Sequence, residues 1–350
     1  MSGLPRLVGV IANPASGKDI RRLVAHGSVF DNDEKVSIVR RVLLGLEATG
    51  VERVLIMPDS FGIGRKALDG LRLRLEASVL EMPRWFTPDD STRAAALMAE
   101  AGAGCIVTLG GDGTNRAVAK ASGTVPLMPI STGTNNVFPT MIEGTIAGLA
   151  AGLVACGCAG EAVSVAPRLD VVPPDGPGDL ALVDVAVYAE RFVASRAMWD
   201  ASKVREVVLT RALPGAIGLS SIGAHLPDAN HAPGCGLHLR MGPGGRAVWA
   251  PIAPGLIQRV ELVESRRLAP GDEVVIRYAE PGVLALDGER EIELPPGAAV
   301  RIRLEADGPR VVDVRRAIEV AARAGAFVSG LGSAGAPASS ARATAAEGRA

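Results

Sequence analysis

The run CIVTLGGDGTNRAVAK, from Cys105 to Lys120, passes from an apolar stretch through a glycine turn into a segment of helical character. Gly110, Gly111 and Gly113 let a backbone approach a ligand closely. A helix starting behind them, with Thr114 and Asn115 in its first turn, presents free N–H groups and a partial positive charge suited to phosphate. Asp112 is the informative residue. A carboxylate beside a polyphosphate is repulsive unless it helps hold a magnesium ion or accepts a proton, so it points to phosphoryl transfer over passive binding. The plainer alternative is a tight turn in which Asp112 only caps the helix.

Two further segments sit where a parallel sheet places its ligand-binding loops. In IANPASGKD, residues 11–19, Asn13, Ser16 and the backbone N–H groups of Ser16 and Gly17 can meet phosphate, with Lys18 nearby as a cation. This is not a Walker loop, because Gly9 and Gly17 are too far apart and Asp19 follows the lysine. In PISTGTNNVFP, residues 129–139, Thr134, Asn135 and Asn136 cluster on a glycine turn. Such hydroxyls and amides offer hydrogen bonds to a ribose, a base edge or phosphate oxygens. Any one of them alone reads equally well as an ordinary turn residue.

The elements that must position these loops follow from periodicity. Apolar runs at 7–12, 53–57, 79–82, 105–109 and 127–130 are short and bounded by Gly, Pro or Asp, as parallel strands buried on both faces are. Between them, 34–48, 89–101 and 115–121 carry apolar residues at helical spacing. That predicts a doubly wound α/β domain over 1–160. From 161 to 312 strand-like runs punctuated by Gly and Pro predict a β-sandwich-like domain, the segment 242–245 (Gly-Pro-Gly-Gly) being one such punctuation. An amphipathic stretch from 313 to 329 is expected to return to the first domain, and the Ala-, Ser- and Gly-rich tail 330–350 is expected to be disordered.

Composition narrows the partners. The 37 basic and 38 acidic residues leave a formal net charge of −1, so no field draws the chain to nucleic acid or anionic lipid. No run approaches a membrane span, and no signal peptide is read at the start, so a cytoplasmic protein acting on a small, locally charged ligand is expected. The cysteines 105, 156, 158 and 235 match no zinc spacing and read as structural, and no metal site is assigned to the protein itself. The histidines show no evident carboxylate partner. A dinucleotide-type G-x-G-x-x-A at Gly62 to Ala67, with Glu81 downstream, offers an oxidoreductase as a weaker reading.

In this order, NPASGKD, GGDGTNRAV and STGTNNVFP resemble the superfamily of NAD kinases and the diacylglycerol and sphingosine lipid kinases, and more closely the acetoin-catabolism X proteins, a branch described as ATP-NAD-kinase-like. The resemblance runs from about residue 7 to 318. It implies a nucleotide cleft between the two domains, ATP with Mg²⁺ as donor, and an alcohol acceptor, with NAD⁺ the leading candidate and a lipid or small diol beside it. It also implies that Asp112 is base or metal organiser, that Gly110, Gly111, Gly113 and Thr114 form the phosphate loop, and that Asn13 and Ser16 belong to the first nucleotide loop. Thr134 and Asn135 match the lipid kinases' nucleotide contacts. Asp287 and Glu289, in Leu-Asp-Gly-Glu, match an acidic segment that assists at the acceptor, although Asp-Gly is also the strongest hairpin signal. Kinases of this kind often pair through the second domain, so a homo-oligomer is compatible.

Two features depart from the NAD kinases. The amide that precedes their acceptor-site acid is replaced by Val183 before Asp184, and the comparable stretch to Thr-Gly-Ser-Thr-Ala-Tyr reads LPGAIGLSSIG, residues 213–223. Both are features that hold NAD. A second reading therefore keeps the fold without catalysis, as a nucleotide-sensing regulatory protein associated with acetoin catabolism.

Overall fold

The computed structural model of the chain describes residues 6–17, 30–190, 200–227 and 234–329. Strands β1 (Leu7–Ala12), β2 (Arg53–Ile56), β3 (Glu76–Val79), β4 (Cys105–Gly110) and β5 (Leu127–Ser131) form a parallel sheet in the order β3-β2-β1-β4-β5. β1 and β4 are buried along their whole length, which is why their sequences are apolar without alternation, Thr108 of β4 excepted. Helices cover both faces: α1 (Asn32–Ala48), α2 (Ile63–Leu68), α3 (Pro88–Glu100), α4 (Asp112–Ala119) and α5 (Gly144–Ala155). Val8, Val10, Val107 and Leu109 pack with α1 and α5 on one face, and Leu7, Ile11 and Ile106 pack with Ala94, Ala95 and Met98 of α3 on the other.

The strand expected at 79–82 lies earlier. The register with β2 pairs Ile56 with Val79, so pairing ends where Leu80 donates to the Ile56 carbonyl. Helix α5 has no counterpart among the expected elements. Its sequence, GTIAGLAAGLVA, is apolar on every side, so no helical period marks it.

After β6 (Val163–Val165) the chain builds two antiparallel sheets. The larger contains β9 (Asp184–Tyr188), β10 (Val204–Leu209), β11 (Gly236–Ala253), β12 (Leu256–Leu268), β14 (Gly282–Leu286) and β15 (Glu289–Leu294). The smaller contains β7 (Arg168–Val172), β8 (Asp179–Ala181), β13 (Glu273–Arg277) and β16 (Ala299–Glu305), and a short helix α6 (Ser220–Ala224) packs on β11. Leu169, Val171, Ile276 and Ile302 of the smaller sheet share one core with Val185, Val187, Val208 and Leu284 of the larger, which makes the pair a sandwich. Residues 242–245 do not break the chain into separate strands. Met241 and Arg246 both face Leu262, so the four residues between bulge out of one long strand, and the reversal comes at Gly255, at φ 75°.

β17 (Arg310–Val312) then re-enters the first sheet beside β5 and pairs with β6. Helix α7 (Val314–Arg323) follows, capped by Asp313, and buries Ala317 and Ala321 against the first domain's core before α8 (Ala326–Ser329). Two crossings therefore join the layers.

The first domain depends on a close helix crossing. A Cβ placed on Gly148 of α5 would lie 2.3 Å from the Val42 carbonyl oxygen of α1, so the helices touch backbone to backbone. Gly148→Ala should force them apart and lower stability by about 1–3 kcal/mol, as overpacking does. A thermal unfolding curve that superimposes on the wild type would remove this account of the crossing.

Candidate functional site

The strand order reverses between β1 and β4, one connecting outward to β2 and the other to β5. At such a switch point the loops leaving the carboxyl ends of the strands diverge and open a crevice. The loops after β1, β4 and β5 are those that carry the three motif segments, and side chains stitch them together. Asn13 Nδ2 donates to Thr114 Oγ1 at 2.9 Å, and the Ser16 and Thr132 hydroxyls lie 2.9 Å apart. Asn136 Nδ2 donates to Ser131 Oγ at 2.8 Å, holding the third loop's own turn.

Asp112 is the first residue of α4, yet it does not cap that helix; Gly111 occupies the cap position. Its carboxylate reaches across to the third loop, accepting from Phe138 N at 2.7 Å and from Val137 N at 3.1 Å. The capping alternative is set aside by these bonds. The glycines around it permit close packing between protein segments. A Cβ on Gly110 would lie 2.5 Å from Thr114, one on Gly111 2.8 Å from Asn136 Oδ1, and one on Gly113 3.0 Å from Glu289 Oε1. The loop is thus held in shape by its neighbours before any ligand arrives, and Glu289 is brought beside it.

The second domain contributes the opposite wall. Leu286 pairs with Glu289, and Asp287 and Gly288 between them have φ of 51° and 75°, so this is a two-residue hairpin turn with both central residues left-handed. Asp287 is thus a hairpin residue, and its carboxylate is buried at the junction of the two domains. The Asp287 side chain accepts from Val183 N at 2.8 Å and from Leu182 N at 3.0 Å, and Asp184 N lies 3.3 Å away. Arg116 of α4 reaches it from the first domain, Nε to Oδ2 3.6 Å, while its Nη1 meets Asp179 at 3.3 Å. Burial drives the Asp287 carboxyl up to about 7, Arg116 opposes that rise, and Asp112 adds to it. Asp112, Asn135, Asp184, Asp200, Asp287 and Ile217 are among the residues that line one cleft between the domains.

Several residues fall elsewhere. Asn115 is fully buried behind the loop, its amide joined to Thr108 Oγ1 at 2.6 Å and to the Gly111 carbonyl at 2.9 Å, so it braces the turn and does not face the cleft. Lys18 and the tail 330–350 lie outside the described residues. Gly17 has a positive φ of 72°. The helix start at Gly62, where a dinucleotide would rest, is taken by Asp59, which accepts from Phe61 N and Ile63 N at 2.9 and 2.8 Å. His238 does have a carboxylate partner, Glu206 at 2.9 Å, which only the pairing of β10 with β11 reveals.

Three basic residues were not singled out from the sequence. Lys35 is fully buried in α1, and its ammonium donates to the carbonyls of Asn13 at 2.9 Å and Ser16 at 2.7 Å and to Asn32 Oδ1 at 3.1 Å, which clamps the first loop. A lysine in the same stripe as Val39 and Val42 was the available signal. Arg116 was within a quoted motif, but its acidic partners lie 63 and 171 residues away. Arg211, just past β10, had no sequence signal. No cluster of three or more His, Cys, Asp or Glu side chains suited to a metal ion occurs among the described residues.

Residues 8–157 match the family model of the ATP-NAD kinase N-terminal domain, and residues 167–307 match that of the acetoin catabolism protein X C-terminal domain. The chain is 40% identical over 333 residues to acetoin catabolism protein X of Cupriavidus necator, which covers 91% of this chain and 92% of that protein. Among solved structures it is similar to yeast NADH kinase complexed with NADH, at 13% identity and a TM-score of 0.49 over 94% of this chain and 89% of that one. A diacylglycerol kinase-like protein of Bacillus anthracis is similar at 13% identity and a TM-score of 0.47, over 89% and 98%.

The buried acid has a measurable consequence. Asp287 ionises above about 3.8 when unfolded but holds its proton to about 7 when folded, so between those values the folded state binds more protons. Its contribution to stability is full below the lower value and is lost as the pH rises to about 7. The difference in thermal midpoint between wild type and Asp287→Asn should shrink or reverse across that window and level off above it. A difference independent of pH would remove the buried acid from the account.

Proposed function

This chain belongs to the acetoin catabolism protein X family, and we propose that it is a phosphotransferase that moves the γ-phosphoryl group of ATP to the hydroxyl of a small alcohol. The observation that carries this reading is Asp112, a carboxylate held in place by Val137 and Phe138 N–H groups on the wall of the cleft. A base fixed by backbone donors needs no reorganisation when the acceptor arrives.

In this reading Asn13, Ser16 and the loop at 110–114 receive the phosphates, with Thr134 and Asn135 beside the nucleotide, and α4 presents its N-terminus behind them. Asp112 accepts the proton of the acceptor hydroxyl as its oxygen forms a bond to the γ-phosphorus. The bond from that phosphorus to the bridging oxygen of ADP breaks, ADP leaves with the electron pair, and the proton passes from Asp112 to solvent. Glu289, beside Gly113, would hold the acceptor. With no preformed metal cluster among the described residues, Mg²⁺ would enter with ATP, taking one or two carboxylates such as Asp112 and Asp184 together with phosphate oxygens. When bound it supplies charge neutralisation on the phosphates.

The cleft also bears on the acceptor. Asp112, Asp184, Asp200 and Asp287 share it with Val204, Ile217, Leu219 and Ile252. The acids disfavour a second phosphate-bearing ligand such as NAD⁺, and an apolar wall accepts a small uncharged diol more readily. The relative's name adds acetoin to the candidates.

Purified protein should transfer phosphate from ATP to one of a panel of small diols, acetoin, diacylglycerol, NADH and NAD⁺, the diols being favoured. Asp112→Asn should lower turnover by about 10²–10⁴-fold, the range of general base catalysis, and leave ATP affinity within a few-fold. Equal loss of binding and turnover would sink the role given to Asp112. ATP binding with no transfer to any acceptor would move the protein to nucleotide sensing.

A further inference from the structure

Arg211 is a half-buried arginine near the cleft, and two of its three guanidinium nitrogens are left unsatisfied among the described residues. It follows β10, and its Nε and Nη2 are buried without a hydrogen-bond partner. The Phe138 ring lies 5.7 Å from its Cζ, and Phe138 is the residue whose N–H holds Asp112. Burial pushes the guanidinium pKa down, while the charges of Asp112 and Asp287 push it back up, which places Arg211 in the field of both acids. Each acid is also held by backbone N–H groups, those of residues 137–138 for Asp112 and 182–183 for Asp287. Two buried N–H donors without acceptors are costly to keep, and the cost is recovered when an anion enters with oxygens in matching geometry.

We propose that Arg211 receives the phosphoryl group in transfer, its Nε and Nη2 donating to the non-bridging oxygens of the terminal phosphate of ATP. This rests on the kinase reading above. A phosphoryl group moving to an oxygen deprotonated by Asp112 must pass beside Asp112, and its developing charge lies on those oxygens. The planar fork of arginine fits two of them at once, which a lysine cannot do. The residue comes from the second domain while the phosphate loop comes from the first, so the terminal phosphate would be gripped from both sides.

The test compares binding of ADP and of the non-hydrolysable β,γ-imido analogue of ATP by calorimetry, in wild type, Arg211→Met and Arg211→Lys. Wild type should prefer the analogue, and Arg211→Met should lose that preference by about tenfold or more while its ADP affinity stays within a few-fold. Arg211→Lys should recover only part of it. In a transfer assay Arg211→Met should lower kcat by about 10³-fold, as loss of an arginine on the transferred group does, with acceptor KM changed only a few-fold. Without ligand, Arg211→Met should melt no lower than wild type, because it removes an unpartnered buried charge. An unchanged preference for the analogue, or a ligand-free Arg211→Met or Arg211→Lys that melts well below wild type, would overturn the inference. Transfer by wild type and Arg211→Met at equal rates would do so while leaving the kinase reading intact. A preference that tracks Arg211 in a protein that transfers to nothing would retain the anion site and discard the kinase reading.

Discussion

Two carboxylates, Asp112 and Asp287, lie buried where the parallel sheet meets the sandwich, and each is satisfied by backbone N–H groups of a neighbouring segment. An acid in such a place must find donors or give up its charge, and the donors it finds are thereby fixed in space. Asp112 fixes the loop after β5 through Val137 and Phe138; Asp287 fixes the start of β9 through Leu182 and Val183. Arg116 completes the arrangement by reaching from α4 to Asp179 and Asp287, so that one helix carries both the end of the glycine loop and the tie to the second domain. The cleft is what remains between these constraints.

Its chemistry follows from the asymmetry of its walls. In the proposed function the first domain would hold phosphates with the hydroxyls and amides at the carboxyl ends of β1, β4 and β5. The second domain's acids and apolar side chains would, in the same reading, meet the acceptor. Lys35 acts at one remove from this surface. It neutralises a row of carbonyls from Asn13 to Ser16, so that the first loop keeps its shape without turning its cation outward.

Legibility differed between the domains for physical reasons. β1 and β4 were plain because parallel strands covered on both faces must be continuously apolar. Helix α5 was hidden because it too is apolar on every side, and its glycines serve contact with α1 and not flexibility. In the sandwich, the glycines at 242, 244 and 245 signalled a turn, but in-register pairing on both sides of them kept β11 whole. Asp287 could be read as a hairpin residue or as an acid of the site, and local sequence could not separate the two because a left-handed turn residue can also bury its side chain.

By itself the sequence determined the order of the two domains, the three loops at one sheet edge and the residues Asn13, Ser16 and Asp112 within them, because each rests on local spacing and periodicity. Tertiary structure alone decided what those residues touch. That Asp112 binds the third loop and not its own helix, that Asn115 is a brace, that Arg116 meets acids far along the chain, and that Arg211 stands unpartnered near them are all consequences of segments brought together by folding. Burial and hydrogen-bond satisfaction are properties of that assembly, and no short stretch of sequence contains both partners.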